Sequence, residues 1–552
     1  AYIVCLAIPL LKKNDIFDNN LQNCLILGFF GVLLVTAFIE SSLGGWCAVA
    51  LFAFTVIFVM VLNRCRVSTK LFSMFLILVV IGSSCIISIY RFSSEFSNNA
   101  ASYGTHGEVS EVFEENPAKQ LEGLVSDGCR VSQPRAYTFR NAMLNAGVLG
   151  TDFYSSFYNQ NVDNFRQELG MSDDNSNYKF VGSNSRTAID ALIGAKYYLA
   201  SNKDENAVPQ MYKKIDSLSN GYDLYATDKN LPLSFIYKET ISPDAYYNLD
   251  SVQKQEALLQ GVVVENGSSS SSFSLNSEQK NVKVVGSENA NIEENTISAK
   301  KKGAVISLEG TEVSGNDEIY LVINDFAFTP KKNWGKAQME NAKNISKLFQ
   351  MKKENFLWGA ATTANVTITC GDKSQTIMLR TSESSMYAGK NNWVINLGRF
   401  SSAETGDIKL AFSAKGDYSF SEMQIVTQQL DPIYKEIENL KNNGNVEYSL
   451  QPNRITANVT YADEGDYIFF SIPYSSGWKA SIDSAPINIE KANSAFMAIK
   501  IPSGGEHEII LTYETPGLRI GIFATLIGIL GFIILNHIER NGSKKSTRNK
   551  IL

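Results

Sequence analysis

The chemistry-bearing side chains of this chain are few and scattered. Its three histidines, His106, His507 and His537, stand far apart, and there is no Cys-x-x-Cys pair. No metal site is predicted from such spacing. A phosphate-binding P-loop, a dinucleotide fingerprint after a strand and a nucleophile elbow are all absent from the sequence. Their absence argues against a soluble-type enzyme in the polar centre of the chain. Two features remain. Glu40 sits in a very short loop, ESSLGG, at the end of an apolar stretch. There a carboxylate could serve as base or metal ligand, or simply mark the membrane interface. The second feature is a cluster of Arg135, Tyr137, Arg140, Asn141, Tyr154, Tyr158 and Asn159. Aromatic faces, amides and arginine forks are what a polymer of sugar and phosphate groups needs. A core aromatic strip with solvated charges would have the same composition. Asp152, Asp173 and Asp174 read as loop acids, His507 as a hairpin-turn residue, and Trp334, Trp358 and Trp393 as packing or sugar-stacking rings.

The elements that must carry these residues follow from how charge and apolarity are distributed. Residues 1–91 hold six Lys/Arg against three Asp/Glu, and residues 516–552 hold six against one. The centre, 92–515, holds 38 against 52. An acidic centre disfavours nucleic acid as a partner. A helix needs about 20 apolar residues to cross a bilayer. The stretches 21–39, 46–62 and 71–89 qualify without any charge, and a fourth near 516–538 carries only Arg519 at its rim. Residues 1–11 read as the tail of an earlier span, so the chain is expected to be the later part of a longer protein. Lys12, Lys13, Arg64, Arg66 and Lys70 flank alternate spans, and Arg540, Lys544, Lys545, Arg548 and Lys550 follow the last. The positive-inside rule then places 92–515 outside the membrane and the basic tail, 539–552, in the cytoplasm. Arg64, Arg66 and Lys70 could also meet lipid phosphates.

Five of seven cysteines lie near the spans; only Cys129 and Cys370 fall in the central block. Whether they pair is not legible from sequence. A block this large without a disulfide framework suggests a bacterial surface.

The fold expected is a partial membrane α-helical bundle, a large extracytoplasmic α+β to all-β module, sandwich-like, and one C-terminal transmembrane helix. Residues 92–260 read as mixed α/β: Arg186–Leu199 places Ile189, Leu192 and Ile193 at helical spacing, Gly194 ends the helix, and AKYYLAS follows as a buried strand. Residues 261–430 alternate short β runs with turn residues, as in a sandwich. Residues 431–445 form a connector helix with Ile433, Ile437 and Leu440 on one face. Residues 446–515 form a small β unit that runs straight into the last helix.

Several phrases resemble the bacterial multispanning proteins called YfhO. The strongest are FFSIPYSSGWKASIDSAPI (469–487) and AFMAIKIPSGGEHEIILTYETPGLRIG (495–521), which match the family's PY-x-x-GW turn, hairpin and strand-into-helix pattern. Asp483-Ser484 stands where the family usually has Asp-Gly. ALIGAKYYLAS (191–201), LPLSFIY (231–237) and RAYTFRNAMLNAGVLGTDFYSSFYN (135–159) match in order. The family looks like GT-C-type multispanning glycosyltransferases. The resemblance implies a polyprenyl-phosphate-linked sugar donor and an external acceptor, a cell-wall polymer such as lipoteichoic acid of a Gram-positive bacterium. It also implies a catalytic carboxylate in the first external loop, upstream of this stretch. No cofactor is evident, and a divalent metal, though compatible with sugar transfer, has no ligand set here. The competing readings are a non-catalytic, membrane-anchored binding or scaffold protein and a transporter of lipid-linked sugars.

Overall fold

The computed structural model describes residues 116–134, 141–157, 159–176, 178–180, 182–218, 221–267, 274–313, 316–331, 347–348, 351, 363–400 and 405–548. The spans read at 21–39, 46–62 and 71–89 lie outside these residues, as does Glu40. Nearly all the described residues belong to one compact unit, Glu115–Lys331 with Ala360–Leu552. That unit is mostly β-strand and ends in one long helix.

The first sheet has Ala195–Ser201 at its centre. Arg130–Ser132 runs parallel to it, and Tyr222–Ala226 and Lys213–Ser217 extend it antiparallel. The phrase AKYYLAS is apolar over Tyr197–Ala200 because both its faces are covered there, while Lys196 and Ser201 are only partly buried. Tyr197 and Leu199 join one cluster with Val131 and Met143, while Tyr198 and Ala200 join another with Tyr212 and Tyr225. The preceding helix, Thr187–Leu192, stops at Gly194, whose φ of +75° and N–H bond to Ala191 O close the last turn. A Cβ there would come within 2.8 Å of Leu233, so close packing as well as backbone handedness requires glycine.

The middle of the chain builds antiparallel sheets around one core. Ser277–Asn281, Glu422–Gln429, Asp317–Asn324 and Trp393–Arg399 form one sheet. Val284–Glu288, Ala304–Leu308, Ile408–Phe412, Thr363–Cys370 and Lys373–Arg380 form another. Alternate residues from both, such as Ile319, Leu321, Ile425, Ile306, Val366 and Leu410, meet in a shared cluster. Trp393 is buried in that core. Cys370 is buried there too, and Cys129 lies elsewhere; both are free thiols.

The last sheets join distant parts of the chain. Tyr467–Phe470 pairs on one side with Phe496–Lys500 and on the other with Ser234–Tyr237, more than two hundred residues earlier. Its odd and even side chains enter different clusters: Ile468 and Phe470 pack with Ile455 and Leu511, Tyr467 and Phe469 with Phe235, Phe496 and Leu258. Leu430–Asn442 turns Ile433, Ile437 and Leu440 into the second of these clusters. Gly505–Tyr513 then leads to the helix Leu518–Arg548. Its first 20 residues, Leu518–His537, have a mean hydropathy of 2.4 and are wholly exposed, a length and composition suited to crossing a bilayer.

Candidate functional site around Asp152

The end of the strand Arg130–Ser132 is a meeting point. Val131 makes a parallel bridge to Gly150, which draws residues 150–154 alongside it. Thr151 Oγ1 lies 3.4 Å from Ser132 Oγ. Asn141 adopts the left-handed conformation, φ +56°, that its short amide tolerates. Its backbone N–H donates to Asp152 Oδ2 at 3.0 Å. Its side chain makes a two-bond clip to the backbone of Tyr154, Nδ2 donating to the carbonyl at 2.9 Å and Oδ1 accepting from the N–H at 2.8 Å. Asn141 therefore acts as a surrogate strand that fixes where Asp152 and Tyr154 point.

Asp152, which the sequence suggested to be a solvated loop acid, is half-buried, and its Oδ1 is closed to solvent. Burial pushes its carboxyl up to about 6, and the Asn141 N–H only partly opposes this. Gln133 is 1% exposed, and its amide beside Asp152 opposes the upward push on that carboxyl; no further partner meets it among the described residues. Asn184, 4% exposed and left-handed at φ +58°, has no partner at either end of its amide among the described residues. A buried polar group left unmet costs roughly 1–3 kcal/mol, so sparsely partnered amides of this kind mark a place where further polar groups belong. Their positions are set by their neighbours. Ser132 and Ser183, one residue before Gln133 and Asn184, both donate to Oδ1 of the fully buried Asp190.

Aromatic rings edge this region. Tyr154 is 42% exposed and meets Tyr178 edge-on at 5.6 Å. Phe153 stacks on Phe180, over which the Arg166 guanidinium sits at 5.0 Å. Phe157 stands almost fully exposed.

Of the residues read from the sequence as substrate-binding, Asn141 and Tyr154 are brought together here. Asn159 is not. It caps the helix Gln160–Glu168 and donates to Tyr474 O at 2.7 Å, a docking role. Arg135, Tyr137, Arg140 and Tyr158 lie outside the described residues, as do Trp334 and Trp358. Sequence reasoning missed Gln133 and Asn184. The only sequence signals were a Gln-Pro pair closing a strand and an Asn-Ser pair able to go left-handed. No group of three or more metal-ligating side chains occurs among the described residues. The arrangement can hydrogen-bond hydroxyl groups through amide and carboxyl, stack rings against tyrosine, and hold a proton on Asp152 near neutral pH.

Comparison with known proteins places the chain. It is 23% identical over 432 residues to YfhO of Bacillus subtilis (strain 168), covering 78% of this chain and 44% of that protein. The chain thus spans less than half the length of that relative. Among solved structures it shows remote likeness to the arabinofuranosyltransferase AftD from Mycobacteria, with a TM-score of 0.34 and 7% identity over 85% of this chain and 66% of that one. It shows a fainter likeness to the C-terminal CBM6 of LamC, a marine laminarinase from Zobellia galactanivorans, with a TM-score of 0.17 and 10% identity over 28% of this chain and all of that one. A family profile described as bacterial membrane protein YfhO matches residues 2–525, nearly the whole sequence. The chain belongs to the YfhO family of bacterial membrane proteins.

Proposed function

We propose that the chain is part of a polytopic membrane glycosyltransferase. It would move a sugar from a polyprenyl-phosphate donor to a hydroxyl of an extracytoplasmic cell-wall polymer such as lipoteichoic acid. In this reading the membrane spans reach the lipid-linked donor, and the catalytic carboxylate is expected in the family's first external loop, with Glu40 a further candidate. The β-rich unit lies outside and holds the acceptor. The observation that carries it is the set of buried, sparsely partnered polar groups on Gln133, Asp152 and Asn184 beside exposed rings. Hydroxyl-rich rings satisfy that combination better than apolar or strongly anionic ligands do. Family membership and the exposed 20-residue apolar helix agree with work at a membrane.

The test is deletion of the gene followed by sugar analysis of the wall polymers. Loss of one glycosyl substituent is expected, and an unchanged glycan pattern would sink the proposal. Arg140→Ala should then reduce acceptor modification at normal protein abundance; a collapse in abundance would make Arg140 a core residue. One observation favours a second reading, a non-catalytic binding protein anchored in the membrane. The acid with the largest upward shift among the described residues, Asp190, is sealed inside and faces no cleft.

A further inference from the structure

A polar cleft lies beside the helix Ser251–Ala257. The helix Ser251–Ala257 packs on the outer face of the sheet containing Asp317–Asn324 and Glu422–Gln429, through Val252 against Tyr320, Val322, Val394 and Val426. Beside this contact an open cleft of about 330 Å³ remains. Its floor is apolar, Val322 and Val426. Its walls carry Asp250, Lys254, Gln279, Asn324, Glu422 and Gln424.

These walls are pre-arranged. Asn324 and Gln424 donate to the two oxygens of Glu422 at 3.1 and 2.9 Å. Gln279 donates to Asp250, which also caps the helix. Amides held this way leave their carbonyl oxygens, and the carboxylates their remaining lone pairs, aimed at donors from outside. The Lys254 ammonium sits over the rings of Tyr246 and Tyr247 at 5.6 and 5.8 Å. Tyr247, 53% exposed, is joined to the cleft through Lys254, which lines it.

An apolar floor, amide and carboxylate walls and an exposed ring match a pyranose, which has an apolar C–H face and a rim of hydroxyls. The sign of the charge narrows the class. Asp250, Asp325 and Glu422 outnumber Lys254, so a polyphosphate chain is repelled. We propose that this cleft binds a neutral oligosaccharide segment of the acceptor rather than its phosphate backbone. The proposal rests on the glycosyl-transfer reading for the identity of the polymer, but not for the binding itself.

The full chain in lipid nanodiscs can be titrated calorimetrically with neutral tetrasaccharides of glucose, galactose and N-acetylglucosamine, and with a glycerol-phosphate tetramer. At least one neutral tetrasaccharide should saturate. Asn324→Ala and, separately, Tyr247→Ala should weaken it at least tenfold at unchanged Tm. Tyr247 is exposed, so its variant keeps the test open if Asn324→Ala unfolds. No saturation by any neutral tetrasaccharide, wild-type affinity in the Tyr247 variant, or tighter binding of the glycerol-phosphate tetramer would overturn the assignment. If the variants lose saccharide binding while gene deletion leaves wall glycans unchanged, the cleft stands and the glycosyl-transfer reading falls.

Discussion

Asp190 shows how a single acid can be retained for shape rather than reactivity. It is fully buried, and Ser132 and Ser183 donate to one of its oxygens. Tyr212 lies 3.1 Å from the other oxygen and 2.9 Å from the carbonyl of Ala195. A phenol has one proton and a carbonyl can only accept. If Tyr212 donates to Ala195, Asp190 must itself bring the proton to Tyr212. Burial pushes its carboxyl up to about 7, against the two serine hydroxyls that donate to it, in agreement with an acid that keeps its proton. The folded chain therefore binds this proton more tightly than the unfolded chain does. Below about pH 4 the group is protonated in both states and costs nothing; stability falls as pH rises from there to about 7. The loss is on the order of 4 kcal/mol. Asp190→Asn, neutral and of the same shape, should remove that slope in urea unfolding at pH 5 and pH 8. A slope equal to that of the wild type would show that Asp190 is ionised in the fold. The turn Asp483-Ser484 gives a smaller effect. Both residues are left-handed, at φ +47° and +69°, as a two-residue hairpin of this twist demands. Asp483 earns its place by accepting from the Glu508 N–H and meeting His507 Nδ1 at 2.7 Å, which holds its carboxyl below the usual range. His507 is thus a strand residue bridged to the hairpin, and not merely the turn residue that its sequence context suggested. Ser484 is exposed and bonded to nothing described. Ser484→Gly should raise stability by about 0.5 kcal/mol; a fall in thermal midpoint would mean that its side chain matters.

Among the elements, the turn Ser475–Trp478 and the root of the last helix depend on each other. Glu514 donates its N–H to Gly477 O at 3.0 Å, and the rings of Trp478 and Tyr513 pack at 5.1 Å. A Cβ on Gly477 would lie 2.4 Å from Glu514 O and 2.6 Å from the Tyr513 ring. Gly477→Ala should therefore cost about 1–3 kcal/mol and loosen the junction. Faster protease cleavage near Thr515 would report this, and wild-type cleavage would refute it. At this scale the sequence was informative where one element explains itself. AKYYLAS and the Ile433, Ile437, Leu440 face were legible because periodicity and continuous apolarity report burial directly. The role of Asn159 was not. Its partner, Tyr474, lies more than three hundred residues away, and no local pattern announces a backbone carbonyl at that distance. Gln133 and Asn184 were illegible for the same reason: an unmet hydrogen bond belongs to the assembled fold, not to a residue type.

At the scale of the whole molecule, the described unit is laced together across its length. Arg186 is fully buried, donating to Gln255 at 2.9 Å and lying over the Tyr320 ring. Gln255 bonds Gln428 at 2.7 Å, which in turn donates to Glu256. Lys390 and Asp163 form a buried ion pair. These bonds run between the first module, residues 116–267, and the middle sheets, while Tyr467–Phe470, seated against Ser234–Tyr237, ties that module to the last, residues 445–513. Phe469 sits at that seam, fully buried and in contact with Phe235, Tyr237 and Phe496. Phe469→Ala should cost about 3–5 kcal/mol. Because both faces of its sheet are core, the damage should not stay in the last module. Hydrogen exchange should accelerate in Gln160–Val264 as well as in Asn445–Tyr513. Acceleration confined to Asn445–Tyr513 would show that the two modules fold independently and that the shared strand is only a contact. If the coupling holds, a ligand seated near Asp152 and the root of the last helix are connected through a continuous core, with Arg130 reaching from the first strand to the backbone of Ser471 at 2.6 Å. Ligand binding there would then stiffen the junction at Gly477, and cleavage near Thr515 should slow when a saturating saccharide is present.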